Sequence, residues 1–204
     1  EMGHYCASYY RNDGYSYCSW APLDLFEIES QGLELLFLEY YDELFAHSDA
    51  AAYTTVLNIM YALLAGCMED EFQQRLYADP SLDYEDACAL YRQLGEEYGF
   101  ADVYVFEPSS WALVSHTFTS PLYYLSYAVS AITAFELLAA SAVDFPKAAE
   151  TYWQLQDHGE SAPLLTTLSA CGLSDPFSEE TVAAVCRDVE AYLDRLVEEQ
   201  GNAA

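Results

Sequence analysis

At 204 residues, 53% of them hydrophobic and 16% aromatic, the chain can bury a sizeable core and does not belong to the disordered class. Its formal net charge is −28, from 34 acidic residues against 6 basic ones, and Lys147 is the only lysine. Nucleic acid and membrane-surface partners, which require clusters of Lys and Arg, are therefore not expected; the acidity reads as solubility, with attraction of cationic peptides as its functional alternative.

The chain opens at Glu1, inside a helix that is expected to end near Tyr10. Nothing there resembles a signal peptide, and a start in mid-motif reads as a fragment or a processed chain. Asn12-Asp13-Gly14 is a turn signal, and Tyr15–Trp20 is an aromatic connector. Pro22 suits the start of a second helix, whose apolar stripe is Leu25, Ile28, Leu35, Leu36 and Leu38. Ser48-Asp49 caps a long helix running to about Tyr77, and Asp79-Pro80 ends it. A helix over roughly 83–98 follows, with Gly99 as its C-terminal cap. Residues 101–110 read as irregular, with Tyr104–Phe106 the one candidate for a short strand. Helices are then expected from near Pro121 to Ala140, over 146–156 and over 162–169. Ser178, followed by Glu179 and Glu180, opens a last helix towards Glu199, and the tail from Gly201 to Ala204 is expected to fray. The prediction is one all-α unit over 1–204.

Ala50–Met68 and Pro108–Phe135 contain no Asp, Glu, Lys or Arg, and length alone permits a membrane span. Their Tyr, Thr, Ser, Asn and His residues make them interior helices of a soluble protein instead, the second polar enough to line a cleft. The six cysteines, Cys6, Cys18, Cys67, Cys88, Cys171 and Cys186, form no C-x-x-C pair and read as free thiols in a reducing, cytoplasmic compartment.

Glu1-Met2-Gly3-His4 carries the chemistry only in context, because a Glu three residues before a His is common on helix surfaces. A catalytic zinc needs three protein ligands and an open position for water. Two histidines at i and i+4 can share one ion, and a Glu directly after the first lies beside the metal-bound water. Here that base would be Glu1 and the second histidine His4, with the first histidine just before Glu1. The third ligand would come from a second helix.

The segment Asp24-Leu25-Phe26-Glu27-Ile28-Glu29-Ser30-Gln31-Gly32-Leu33-Glu34 resembles the third-ligand helix of the oligoendopeptidase F and thimet oligopeptidase family of zinc peptidases. In that pattern a Glu ligand is followed by two variable residues, a Ser-Gln-like pair and a further Glu. The resemblance implies that Glu27 is the ligand; Asp24, one turn before it, and Glu34, two turns after, read either as orienting a histidine or as a solvated acidic helix face. Glu29 stands where one branch of the family has Pro and is thus a rival carboxylate for the third ligand, although helical periodicity turns it about 160° away from Glu27. Side chains of His4 and Glu27 that share one ion should lie roughly 3–5 Å apart.

A second block, His116 followed by Tyr123-Tyr124-Leu125-Ser126-Tyr127-Ala128-Val129-Ser130, resembles the family's second signature: a His, a short loop and a Tyr-x-x-Tyr-x-x-Ser helix. Tyr hydroxyls and His N–H groups are suitable donors to the oxyanion of amide hydrolysis. The match implies that His116 and Tyr127 bind substrate or oxyanion and that Tyr124 is the second phenol, with Tyr123 its rival. Glu69-Asp70-Glu71-Phe72-Gln73 resembles the acidic-aromatic stretch between the two signatures, and weaker likeness extends through Tyr152–Gln156 and Gly172-Leu173.

Residues 1–204 are thus expected to be the C-terminal part of a zincin-like helical catalytic domain, beginning inside His-Glu-x-x-His. The implied activity is zinc-dependent hydrolysis of oligopeptides, by a monomer or weak oligomer. The competing readings are a non-catalytic acidic helical binding module and an inactive member of the same family. A histidine directly before Glu1 would favour the enzyme.

Overall fold

The computed structural model describes residues 1–10, 23–103, 106–158 and 162–203. The turn at 12–14, the connector at 15–20, Pro22, Cys18 and two of the three residues of the candidate strand at 104–106 lie outside the described residues. Among those described there is no strand, and the architecture is all-α. Contacts divide the chain into two compact units: Glu1–Tyr61 with Val129–Ala204, and Ala62–Ala128.

The first unit contains α1 (Met2–Tyr10), α2 (Leu23–Leu36), a 3₁₀ turn at Phe37–Tyr40 and the single turn α3 (Tyr41–Leu44). It also holds the first part of α4 (Ser48–Ala78), the last part of α8 (Tyr124–Ser141), α9 (Phe145–His158), α10 (Leu164–Ala170) and α11 (Glu179–Ala203). The stripe read from the sequence, Leu25, Ile28, Leu35, Leu36 and Leu38, is buried. Its period of three to four residues presents one face of α2 to the core. Ala131, Ala134, Leu137 and Leu138 of α8 and Tyr152 of α9 are buried in the same unit. Gly172, at φ +76°, follows α10 in the left-handed conformation, and the Leu173 N–H returns to the Leu168 carbonyl at 2.9 Å. Glu136 then receives both the N–H and the hydroxyl of Ser174.

The second unit contains the rest of α4, α5 (Tyr84–Glu97), the turn α6 (Phe100–Val103), a 3₁₀ segment at Pro108–Leu113, the turn α7 (His116–Thr119) and the start of α8. Asp83 caps α5 through a capping box with Asp86, and Gly99 follows it at φ +77°. Ala65, Met68, Phe72, Ala87, Tyr91, Leu94 and Phe100 form the core, with Phe106 and Trp111 packed against it.

Several boundaries differ from the sequence expectation, among them the start of α8, which lies at Tyr124 rather than near Pro121. Residues 101–110 are not wholly irregular, since Pro108 supplies a fixed φ at the start of a 3₁₀ segment capped by the Glu107 carboxylate. Helix α11 continues to Ala203 rather than ending near Glu199, because each further residue of an established helix adds one hydrogen bond without a new nucleation step.

Helices α4 and α8 are each long and apolar enough to cross a membrane by length and composition alone. In α8, 61% of the most apolar window is buried, and α4 buries Glu69, Asp70 and Gln73, groups that would be costly in hydrocarbon.

Candidate active site

Glu1 and His4 stand at the start of α1, and the Tyr5 N–H bonds back to the Glu1 carbonyl at 3.1 Å. Helix α1 lies unusually close to α2. A Cβ built on Gly3 would sit 1.9 Å from the Glu29 carbonyl oxygen and 2.8 Å from the Ser30 Cα, so only a residue without a side chain fits there. That approach brings the His4 ring onto Phe26, with centroids 4.0 Å apart and planes 11° from parallel.

The imidazole meets two carboxylates of α2. His4 Nε2 lies 3.7 Å from Glu27 Oε2, and His4 Nδ1 lies 3.4 Å from Glu29 Oε2. Both carboxylates are nearly inaccessible, at 5% and 2% exposed. The first separation is within the span of two ligands sharing one ion with bonds near ~2 Å. The second is a hydrogen bond at the long end of the range; with Nδ1 as its donor to the Glu29 carboxylate, Nε2 is the nitrogen left to bind an ion.

Periodicity turns Glu29 away from Glu27 around the axis of α2, yet both reach His4. The imidazole has two nitrogens, and with the ring stacked on Phe26 each of them meets a different carboxylate. The place beside His4 Nδ1 is taken by Glu29. The backbone there is held from the other side too: the Tyr152 hydroxyl donates to the Glu29 carbonyl at 2.7 Å, and the Tyr152 ring lies 3.2 Å from where a Cβ on Gly32 would sit. Burial pushes the Tyr152 phenol well above its ordinary range, so it stays a donor. Ser30 adds a hydroxyl contact to Glu27 Oε2 at 3.4 Å. Gly3 and Tyr152 were not singled out as parts of this site from the sequence; a Gly within a helical pattern was the available signal.

In the second unit, His116 and three tyrosines form one aromatic cluster. The His116 ring centroid is 5.2 Å from Tyr123, 5.2 Å from Tyr124 and 6.0 Å from Tyr127. Tyr127 is 5.4 Å from both Tyr123 and Tyr124. Tyr124 and Tyr127 are one turn apart on α8, which aims them the same way, while Tyr123 joins from the turn before the helix. All four rings are half-buried. Tyr123 and Tyr124 thus both flank His116, one stacked and one edge-on.

The acidic stretch of α4 divides by depth. Glu69 is buried and accepts the Tyr91 hydroxyl, and burial lifts its carboxyl to about 6, the bond from Tyr91 only partly opposing this. Glu71 accepts the Tyr98 hydroxyl at 2.8 Å and pairs with Arg75. Gln73, completely buried, receives the Leu122 N–H on Oε1 at 2.7 Å. Among the described residues, no three His, Cys, Asp or Glu side chains are grouped so as to hold a metal ion, and His4 with Glu27 supplies a pair.

The structure is similar to solved peptidase structures. An oligoendopeptidase F aligns over 95% of this chain at a TM-score of 0.87 and 25% identity. PZ peptidase A, solved with an inhibitor, aligns over 96% at 0.85 and 25% identity. An oligoendopeptidase F from Bacillus anthracis str. Ames aligns over 96% at 0.79 and 23% identity, which speaks to fold alone. The chain spans about a third of these structures, 36%, 36% and 33% of their lengths. No protein-family model and no curated protein sequence matches it.

Proposed function

We propose, from the premise that this chain shares the fold of the oligoendopeptidase F peptidases over nearly its whole length, that it is part of a zinc-dependent endopeptidase acting on oligopeptides. The observation that carries the reading is the convergence of His4 Nε2 and Glu27 Oε2 at 3.7 Å, with Glu29 on the other nitrogen.

The donors fit the ion. An imidazole nitrogen and a carboxylate oxygen are two of the usual zinc ligand types, and a carboxylate on the far nitrogen is the usual device for fixing the tautomer and raising ligand basicity. His4 and Glu27 would hold the ion, and one further histidine, expected directly before Glu1, would complete three protein ligands. When bound, zinc supplies Lewis-acid polarisation of the scissile carbonyl and greater acidity of water.

The chain's own residues do the rest. Glu1 takes a proton from the attacking water and delivers it to the leaving amine, so one carboxylate serves as base and then as acid. Glu29 holds the His4 ring in the tautomer that leaves Nε2 unprotonated. His116 and Tyr127 donate hydrogen bonds to the carbonyl oxygen as it gains negative charge, with Tyr124 the further phenol at the substrate. The free state of the five described cysteines supports a cytoplasmic setting, and a monomer or weak oligomer is the proposed state.

The test is metal analysis of the full-length protein together with cleavage of an internally quenched oligopeptide. About one zinc per chain, with cleavage abolished by a chelator and restored by zinc, is expected. A protein that binds no metal and leaves the peptide intact would leave the acidic binding module as the better reading.

A further inference from the structure

Residues 120–123 form a tight turn, closed by the Tyr123 N–H on the Ser120 carbonyl at 3.2 Å. Pro121 occupies its second position and Leu122 its third, at φ +64°. This is the type II pattern, whose third position favours Gly or Asn because a Cβ there crowds the backbone. Leu122 is the one non-glycine residue with positive φ among those described, and its side chain is 48% exposed, so packing does not explain it.

What holds the turn is one stripe of α4. The Leu122 N–H donates to Gln73 Oε1 at 2.7 Å, and Gln73 Nε2 donates to Thr117 Oγ1 at 3.5 Å. One helical turn further on, the Tyr77 hydroxyl donates to the Thr117 carbonyl at 2.6 Å. Two turns earlier, Gly66 lets α4 approach the start of α8, where a Cβ would lie 2.7 Å from the Tyr124 carbonyl oxygen. At 3.6 residues per turn, Gly66, Gln73 and Tyr77 fall within about 20° of one line along the helix. The segment gripped by this line is the one that carries His116 at one end and Tyr123 and Tyr124 at the other.

We propose that Gln73 is a positioning residue for peptide hydrolysis. It bridges Thr117 and Leu122, holds the turn in its left-handed conformation, and so fixes His116 and the three tyrosines as one donor cluster. This rests on the substrate role given to that cluster under the proposed function. Gln73 touches no metal ligand named here, so its effect belongs to substrate handling and leaves zinc affinity alone.

The experiment compares Gln73→Met, Gln73→Glu and the double variant Gln73→Met with Leu122→Gly in the full-length protein. Met keeps the volume and removes the acceptor, whereas Glu keeps an acceptor. Gly adopts positive φ without help from Gln73. Gln73→Met should lower kcat/KM for an internally quenched oligopeptide by on the order of 10²-fold, the scale of a small misplacement of reacting groups, at unchanged zinc affinity. Gln73→Glu and the double variant should each recover most of it. Amide hydrogen exchange should show faster exchange at Leu122 in Gln73→Met, whatever the activity. Unchanged kcat/KM in Gln73→Met, whatever the exchange, or no recovery in the double variant, would overturn the proposal. Wild-type protein that binds zinc but cleaves no peptide would instead overturn the function on which it rests.

Discussion

The chemistry of the candidate centre turns on single atoms. Glu1→Gln removes the proton acceptor and keeps the shape. In the full-length protein it should leave zinc content unchanged and lower turnover by on the order of 10²–10⁴-fold, read from single-turnover cleavage and metal analysis of the same sample. Tyr127→Phe removes one hydroxyl only. A fall in kcat of about 10²–10³-fold with KM little changed is expected, and intact kcat with a lower melting temperature would make Tyr127 a packing residue. Gly3 is a harder constraint. Any side chain there meets the Glu29 carbonyl and the Ser30 Cα, which are backbone and cannot rotate aside. Gly3→Ala should therefore destabilise the chain by about 1–3 kcal/mol through overpacking, with a melting temperature lower by roughly 2–4 °C per kcal/mol, and weaken zinc binding in the full-length protein. A melting curve that does not move would show that α1 shifts freely over α2.

At the scale of elements, α4 combines an apolar face with a buried acid. Glu69 Oε1 is bonded by Tyr91, while Oε2 is buried without a hydrogen-bond partner, and desolvation raises the carboxyl from near 4.5 to about 6. A raised folded-state value means that the folded chain holds the extra proton between those two pH values. The group's contribution is therefore most favourable below about 4.5 and declines as pH rises through 6. At ~1.4 kcal/mol per pH unit, the decline amounts to about 2 kcal/mol. In Glu69→Gln that decline should vanish. The stability of wild type minus that of the variant should fall by about 2 kcal/mol between pH 4.5 and 7.5 in urea titrations, and a difference constant with pH would mean that Glu69 is solvated in the folded chain. The same helix shows what the sequence could not carry. Its length was legible in the sequence, from Ser48 to the Asp79-Pro80 stop. The grip of Gln73 and Tyr77 on Thr117 and Leu122 was not, because hydrogen bonds across some 40 to 50 residues leave no periodic trace.

For the whole molecule, the count of ligands sets the expectation. The described residues bring His4 and Glu27 together as candidate ligands, with Glu29 on the other imidazole nitrogen, and catalytic zinc uses three protein ligands. A polypeptide of this sequence alone should bind zinc weakly and cleave no peptide. Tight, stoichiometric zinc in a chelator-competition titration would show a different ligand set.

The all-α class, the stripe of α2, the start of α5 near Asp83 and the glycine that follows it at Gly99 were legible in the sequence alone, because apolar periodicity and terminal turn chemistry are local properties. The order of His4, Glu27, His116 and Tyr127 along the chain was enough to suggest the zinc peptidase resemblance. The tertiary structure alone decided which carboxylate meets which nitrogen of His4. Helical angle turned Glu29 away from Glu27, but the partner is an imidazole with two nitrogens, on a helix that Gly3 lets approach the α2 backbone. It also decided that Tyr123 and Tyr124 both flank His116, since a turn with a left-handed Leu122 brings a residue outside α8 level with one inside it. Local pattern fixes where each side chain sits on its own element; which atoms meet depends on how closely two backbones approach, and that is set by residues distant in sequence.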